Sequence, residues 1–497
     1  MASASTIKVA VRCRPQNRKE RDAGEETCFH REQKQGGATA VLCDPKATPG
    51  SPNSKPQRFD FDLVFGEDST QEEVYEALAL PILDQAFQGF NSTLFAYGQT
   101  SSGKTHTMLG DDAGDMPGII PRLNTALFER IEVAKREAPG TKYLVQASMF
   151  EIYNECIVDL LDPAAAKASH GPGGGQKSLE VRETKAMGVY VPGLREVAAA
   201  DAGQLQRLLD EGSRAKHTGG TAMNARSSRS HTIFVLQLSQ VGASQSLQAR
   251  INLVDLAGSE RQKSTHAQGD RLKEGMNINK SLSALGNVIN KLSEANRGSA
   301  GKKAFIPYRD SKLTRVLQES LGGNSVTVML AALSPAACNL DETLGTLRYA
   351  SRAKNIKLNA VQNASGDVEA RLRDELDELR LKLKEALAAQ QQQGGRPQAG
   401  ADNSDEVLRL RAQIEDMESA LRTTWEEKQA SAERWQAELR KASEAAEAER
   451  AEMQARLDSE HAARVAALEN NGSVVAVLGE LAADRAAAPA LPELDRW

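Results

Sequence analysis

A chain of 497 residues is too long for one hydrophobic core and long enough for two or three structural units. With 62 Lys and Arg against 67 Asp and Glu, the net charge of −5 argues against bulk nucleic-acid binding, so an anionic partner must meet a local basic face. Aromatic residues make up only 4% of the chain, low for a fully globular protein, so part of it lies outside any packed core. Cys13, Cys28, Cys43, Cys156 and Cys338 are scattered singly and odd in number, which reads as reduced thiols in a cytosolic protein. The N-terminus lacks the basic and apolar regions of a signal peptide, and no apolar run is long enough to span a membrane.

In chain order, Ile7 to Val11, Tyr143 to Phe150, Thr232 to Leu238, Ala249 to Leu256 and Ser325 to Leu333 read as strands. Between them, Gln71 to Phe87, Asp201 to Glu211, Asn277 to Leu292 and Asp341 to Asn355 carry helical periodicity. Strands alternating with helices predict an α/β domain, its central mixed or mostly parallel sheet lying between helical layers. Glu32 to Gln57 and the Gly/Ala-rich stretch Ala164 to Gln176 read as surface loops.

Beyond Asn363 the composition shifts to Ala, Glu, Arg, Gln and Leu. Leu372, Leu376, Leu379 and Leu383 step by four, three and four residues, a coiled-coil seam. A Gln/Gly/Pro stretch, Gln390 to Ala399, interrupts it. A second seam runs through Val407, Leu410, Ile414, Met417 and Leu421, stutters at Trp425, and continues through Ala432, Trp435, Leu439 and Ala442. Such a seam dimerises two chains; a single charged, solvated helix is the alternative.

The sharpest local signal is Gly98, Gln99, Thr100, Ser101, Ser102, Gly103, Lys104 and Thr105, which satisfies G-x-x-x-x-G-K-[ST] at every fixed position. Its glycines let backbone N–H groups curl toward phosphate oxygens. Lys104 then reaches the β- and γ-phosphates, and Thr105 offers a hydroxyl to Mg²⁺. The preceding Thr93 to Tyr97 supplies the required strand. Alone, the motif means nucleoside-triphosphate binding and fits several ATPase and GTPase classes. Asn252 to Glu260 is an apolar strand ending in Asp255, then Gly258, suited to holding Mg²⁺ through water and sensing a γ-phosphate. Asn224 to His231 supplies the hydroxyls and arginines a switch loop needs.

Together these segments resemble the kinesin motor family. VAVRCRP, FAYGQTSSGKTHTM, FEIYNE, NARSSRSH, LVDLAGSER, NINKSLSALGNVI, IPYRDSKLTR and TLRYASRAKNI follow one another in that family's order, from Ile7 to Asn363. The resemblance implies an ATPase using ATP and Mg²⁺, stimulated by microtubules. It places Arg12, Arg14 and Pro15 at the adenine side, Gly98 to Thr105 with the adjoining His106 around the phosphates, and Thr105, Ser228 and Asp255 at the metal. It further implies that Ser227 lies near the attacking water, that Arg229 and Glu260 close as a pair over the γ-phosphate, and that Gly258 senses it. Catalysis would then rest on positioning and charge neutralisation.

The same resemblance assigns a microtubule-binding face to Arg261, Lys263, Arg271, Lys273, Lys280, Arg297, Lys302, Lys303, Arg309, Lys312 and Arg315. It implies a motor domain over 1–355, a neck linker over 356–366, a short coiled coil over 367–389, a flexible linker over 390–404, an interrupted coiled coil over 405–470 and a tail of unassigned role over 471–497. The segment from Ala331 to Asn363 looks most like class-three kinesins, with class two as the alternative. The loop from Glu294 to Lys303 is less lysine-rich than class three usually carries. The expected activity is ATP-driven, plus-end-directed movement by a cytoplasmic, microtubule-associated homodimer, with no nucleic-acid partner. Nothing in the sequence supports a ciliary location. A non-motile microtubule-binding relative is the alternative function; intact Lys104, Thr105, Arg229, Asp255 and Glu260 argue against it.

Overall fold

The computed structural model describes residues 3–34, 36–47, 55–111, 116–162, 178–184, 188–218, 229–242, 246–260, 270–296 and 305–364, with scattered helical positions between 380 and 462. The chain divides into two compact units, Met1–Trp435 and Gln436–Trp497. Within the second, residues 448, 451, 454–459 and 462 are helical. Leu383, Val407, Leu410 and Ile414 of the expected seams are helical in the first unit; most of 367–389 and 405–470, and all of 471–497, lie outside the described residues.

The first unit begins with β1 (Ser3–Thr6), β2 (Lys8–Cys13) and the short helix α1 (Arg18–Asp22). Next come β3 (Phe29–Lys34), β4 (Gly37–Leu42), β5 (Gln57–Phe61), β6 (Leu63–Phe65), α2 (Gln71–Phe87) and β7 (Ser92–Tyr97). Helices α3 (Lys104–Met108) and α4 (Ile119–Glu137) precede β8 (Lys142–Tyr153), β9 (Cys156–Asp159), β10 (Arg182–Thr184), β11 (Gly188–Tyr190) and β12 (Val197–Ala199). Then follow α5 (Ala202–Thr218), β13 (His231–Val241), β14 (Ser246–Asp255), α6 (Asp270–Asn296), α7 (Lys312–Val316), α8 (Gln318–Gly322), β15 (Val326–Leu333), α9 (Leu340–Ala353) and β16 (Lys357–Ala360).

The central sheet runs β12-β8-β13-β14-β7-β15-β2-β6, with β9 paired to β8. It is mixed: β14, β7, β15, β2 and β6 are parallel, whereas β8, β13 and β14 form an antiparallel set. Every residue of β7 is buried, as expected for a parallel strand covered on both faces. One face packs on α2, α4 and α5 through residues such as Leu78, Leu123 and Leu205. The other packs on α6 and α9 through Leu285, Ile289, Leu347 and Ala353. Helix α2 begins where the sequence places it because Thr70 and Glu73 form a reciprocal capping box.

Glu32 to Gln57 is not simply a loop. It contains the second half of β3 and all of β4, which with β5 form a three-stranded antiparallel sheet. Lys34 pairs with Gly37, so the hairpin turns tightly through positive-φ Gly36. Most side chains of β3 stay in solvent, so it lacks the apolar run that would have marked it as a strand. Ala164 to Gln176 lies outside the described residues.

The end of the domain returns to the sheet. Ile356 and Leu358 have no solvent exposure, and β16 pairs antiparallel with β1. Asn363 then bonds to four residues. Its backbone N–H donates to Gly89, its side-chain amide donates to Asn91 and to the Gln248 carbonyl, and its side-chain oxygen accepts from Asn324.

Candidate active site

The site forms where parallel strands β2, β7, β14 and β15 end together, the usual ligand edge of an α/β sheet. β7 delivers the loop Gly98 to Gly103. Gly98 has φ 151°, and a Cβ there would collide with the carbonyl oxygen of Ala332, so only glycine fits. Lys104 is 7% exposed and donates from Nζ to the Gly98 and Gln99 carbonyls at 2.9 and 2.8 Å. Burial lowers its pKa, and the charges of Asp255 and Glu260 oppose that shift. The ammonium is thus held under the loop by carbonyls that incoming phosphate oxygens can replace.

The neighbouring strand β14 delivers Asp255. The exposed Thr105 hydroxyl donates to Asp255 Oδ2 at 2.6 Å, while Oδ1 is buried without a hydrogen-bond partner among the described residues. Past Asp255 the chain stays against the loop: Ser259 N–H donates to the Gly98 carbonyl at 3.1 Å. Glu260 accepts from the Thr100 N–H at 2.7 Å and from the Thr100 hydroxyl. Gly258 lies so close that a Cβ would strike the Thr100 hydroxyl and the Glu260 carboxylate. Arg229 lies just ahead of β13, whose Thr232 pairs with Asp255 across the antiparallel register, so it enters the site from the same edge. Ser227 and Ser228 lie outside the described residues.

β2 delivers the third side. Arg12 is buried and donates to Gln71 and Thr107 at 2.6 and 2.8 Å, which ties β2 to α2 and α3. Gln71 in turn donates to the His106 carbonyl, and His106, half-buried, has its pKa lowered by burial and by nearby Arg12. Arg14 donates to the Ser101 carbonyl at 2.6 Å and also reaches the carbonyl of exposed Pro15. The assigned residues that are described therefore converge: Arg14 touches the loop, Arg12 braces it from behind, and Pro15 forms the outer lip.

The donor set fits a magnesium nucleotide. A hydroxyl and a carboxylate with a spare buried oxygen are hard ligands, suited to a cation that keeps most of its contacts to water and phosphate. Among the described residues no cluster of three or more His, Cys, Asp or Glu could hold a metal by itself.

A family model described as the kinesin motor domain matches residues 12–356. The chain belongs to the kinesin motor family. It is 41% identical over 445 residues to mouse kinesin-like protein KIF13A, covering 86% of this chain and 24% of that one. It is 44% identical to kinesin-like protein klp-20 of Caenorhabditis elegans over 361 residues, covering 72% of this chain and 51% of that one. The chain thus spans about a quarter to a half of the length of these curated relatives. Among solved structures it resembles a KIF14 dimer, two-heads-bound with AMP-PNP in complex with a microtubule, at 40% identity and a TM-score of 0.63, covering 73% of this chain and 97% of that one. It resembles a fast kinesin equally in fold, at 39% identity and TM-score 0.63, covering 73% of this chain and 95% of that one.

This kinesin motor domain also uses residues that the motifs leave unassigned. Glu20 receives both outer nitrogens of Arg14 at 2.6 Å, and that pairing holds its carboxyl below the usual range. Glu20 also accepts from Ser334 and Asn339, and Asn339 accepts from Gln99, so one carboxylate ties Arg14, Ser334 and Asn339 to the loop. His231 is fully buried; its Nδ1 accepts from the Ala257 N–H, so Nε2 carries the proton and donates to Ser281. Burial pushes its pKa down to about 3. Buried Lys216, on the last turn of α5, adds positive charge near Lys104 and His231. The capping box Asn17 to Glu20 was the one sequence signal that could have drawn attention to Glu20.

Proposed function

We propose that this chain couples ATP hydrolysis to movement along microtubules, most simply toward the plus end, as a coiled-coil homodimer. The observation that carries this reading is the meeting of Lys104, Thr105 and Asp255 at one sheet edge, in a domain whose closing segment 356–363 is seated on the same sheet. Lys104 binds phosphate, Thr105 and Asp255 hold the metal with Ser228, and Arg229 and Glu260 close over the γ-phosphate. Magnesium supplies charge neutralisation on the phosphates. The solved relative bound to AMP-PNP and a microtubule supports both ligands. Relatives named KIF13A, KIF13B and KIF1B support a class-three motor in the cytoskeletal compartment.

Of the expected track residues, Lys280 and Arg309 are exposed and free to meet an acidic surface. Lys312 is not: its Nζ bonds Ser178, the Leu179 carbonyl and Glu180. Arg261, Lys263, Arg297, Lys302 and Lys303 lie outside the described residues. The test is surface gliding of fluorescent microtubules over the immobilised full chain with ATP. Steady gliding with the plus end trailing supports the reading. Microtubules held without movement would replace it with the non-motile alternative.

A further inference from the structure

Tyr97 is the last residue of β7, directly before Gly98, and Tyr349 lies on α9, seven residues before Ile356. Their rings stack with centroids 4.0 Å apart and planes 1° from parallel. Tyr349 also faces Gly286 of α6, where an added Cβ would lie 3.6 Å from Cε2 of its ring. The Ser259 side chain lies beside the Tyr97 hydroxyl. One ring pair therefore joins the phosphate loop, the segment after Asp255, helix α6 and the helix leading into the seated chain end.

The Tyr349 hydroxyl is out of place. Tyr349 is 5% exposed, and its hydroxyl oxygen is buried with no hydrogen-bond partner among the described residues. A buried tyrosine hydroxyl usually finds a partner, and one without a partner destabilises the arrangement it sits in. Phenylalanine would keep the stack and avoid that penalty. The hydroxyl therefore weakens the arrangement with Ile356 seated relative to any arrangement in which α9 shifts and the hydroxyl meets a partner or water.

We propose that Tyr349 is a positioning residue that balances seating of 356–363 against release, reading the phosphate loop through its stack on Tyr97. The ring transmits, and the unpartnered hydroxyl keeps the seated state from dominating in every nucleotide state. This inference rests on the motor reading above. It assigns no chemistry to Tyr349, which is not itself part of the phosphate site.

The test is amide hydrogen exchange across 356–363 in the full chain, with Mg·ADP and then with Mg·AMP-PNP, beside ATP turnover and gliding speed. Tyr349→Phe should slow exchange of this segment with Mg·ADP about five- to tenfold, the gain from removing one unpartnered buried hydroxyl. With Mg·AMP-PNP it should change little. Turnover should persist while gliding speed per ATP falls. Tyr349→Leu, which removes the stack, should instead make exchange nearly independent of nucleotide, and Tyr349→Phe should retain that dependence in part. Exchange in Tyr349→Phe equal to wild type in both nucleotides, with turnover intact, overturns the proposal while leaving the motor reading standing. Absence of microtubule-stimulated turnover in the wild type would overturn the motor reading and the proposal with it.

Discussion

The Thr105 hydroxyl donates to Asp255 Oδ2 at 2.6 Å, joining the start of α3 to the end of β14. These two residues are 150 positions apart in sequence and come together because β7 and β14 are adjacent parallel strands. The contact holds one carboxylate oxygen and leaves the other buried and unused. That pairing is the geometric core of the ATPase reading.

Asp255→Asn keeps the shape and removes the charge. Turnover should fall by ~10²-fold, the scale typical of losing one preorganised electrostatic group. The dependence of nucleotide affinity on Mg²⁺, measured by titration with a fluorescent ATP analogue, should flatten. Unchanged Mg²⁺ dependence would remove Asp255 from the metal site.

Ile356→Ala opens a cavity at a position with no solvent exposure, which costs ~2–5 kcal/mol in a packed site. The loss falls on the seated arrangement of 356–363 and leaves the phosphate loop intact. Gliding should slow severely while microtubule-stimulated turnover falls much less. Proportional loss of both would reduce this segment to a tether.

Neutralising Lys302 and Lys303 together should weaken microtubule binding and make it less sensitive to salt, while basal turnover barely changes. Lys312→Ala should act differently, because its ammonium is already committed to Ser178, Leu179 and Glu180. It should lower thermal stability more than it lowers the salt dependence of co-sedimentation. Equal effects of the two changes on salt dependence would contradict this division.

His231 links the site to acid stability. Its folded pKa, about 3, lies below the unfolded value near 6.5. The unfolded chain therefore binds the extra proton first, and stability falls as pH drops from about 6.5 toward 3, by up to about 1.4 kcal/mol per pH unit from this group. Urea midpoints measured from pH 7 to 5 should decline, and His231→Gln should flatten the decline. An equally steep decline in the variant would place the acid sensitivity elsewhere.

The phosphate loop, the strand ending in Asp255 and the helix from Gln71 were legible because their signals are local: fixed glycine spacing, an apolar run and helical periodicity. The β3–β4 hairpin was not, because β3 is stabilised by cross-strand bonds and leaves most of its side chains in solvent. Glu20 and Lys216 were missed for another reason. Each is an ordinary charged residue in sequence and gains its role only when folding brings distant residues to it, Ser334 and Asn339 to Glu20 and Lys104 to the neighbourhood of Lys216. The pairing of β16 with β1 was also hidden, because β1, the run Ser3–Thr6, carries almost no apolar signal.

ATP turnover of the full chain with and without microtubules, beside Glu260→Ala and Arg229→Ala, decides whether this site drives a motor. Glu260 rests on Thr100 here, at the edge of the phosphate loop, and the proposed closed state pairs it with Arg229. Microtubules should strongly stimulate the wild type, while both variants still bind ATP but turn it over slowly on microtubules. Wild-type turnover that ignores microtubules would overturn the motor reading, and variants that keep full stimulated turnover would overturn the Arg229–Glu260 assignment.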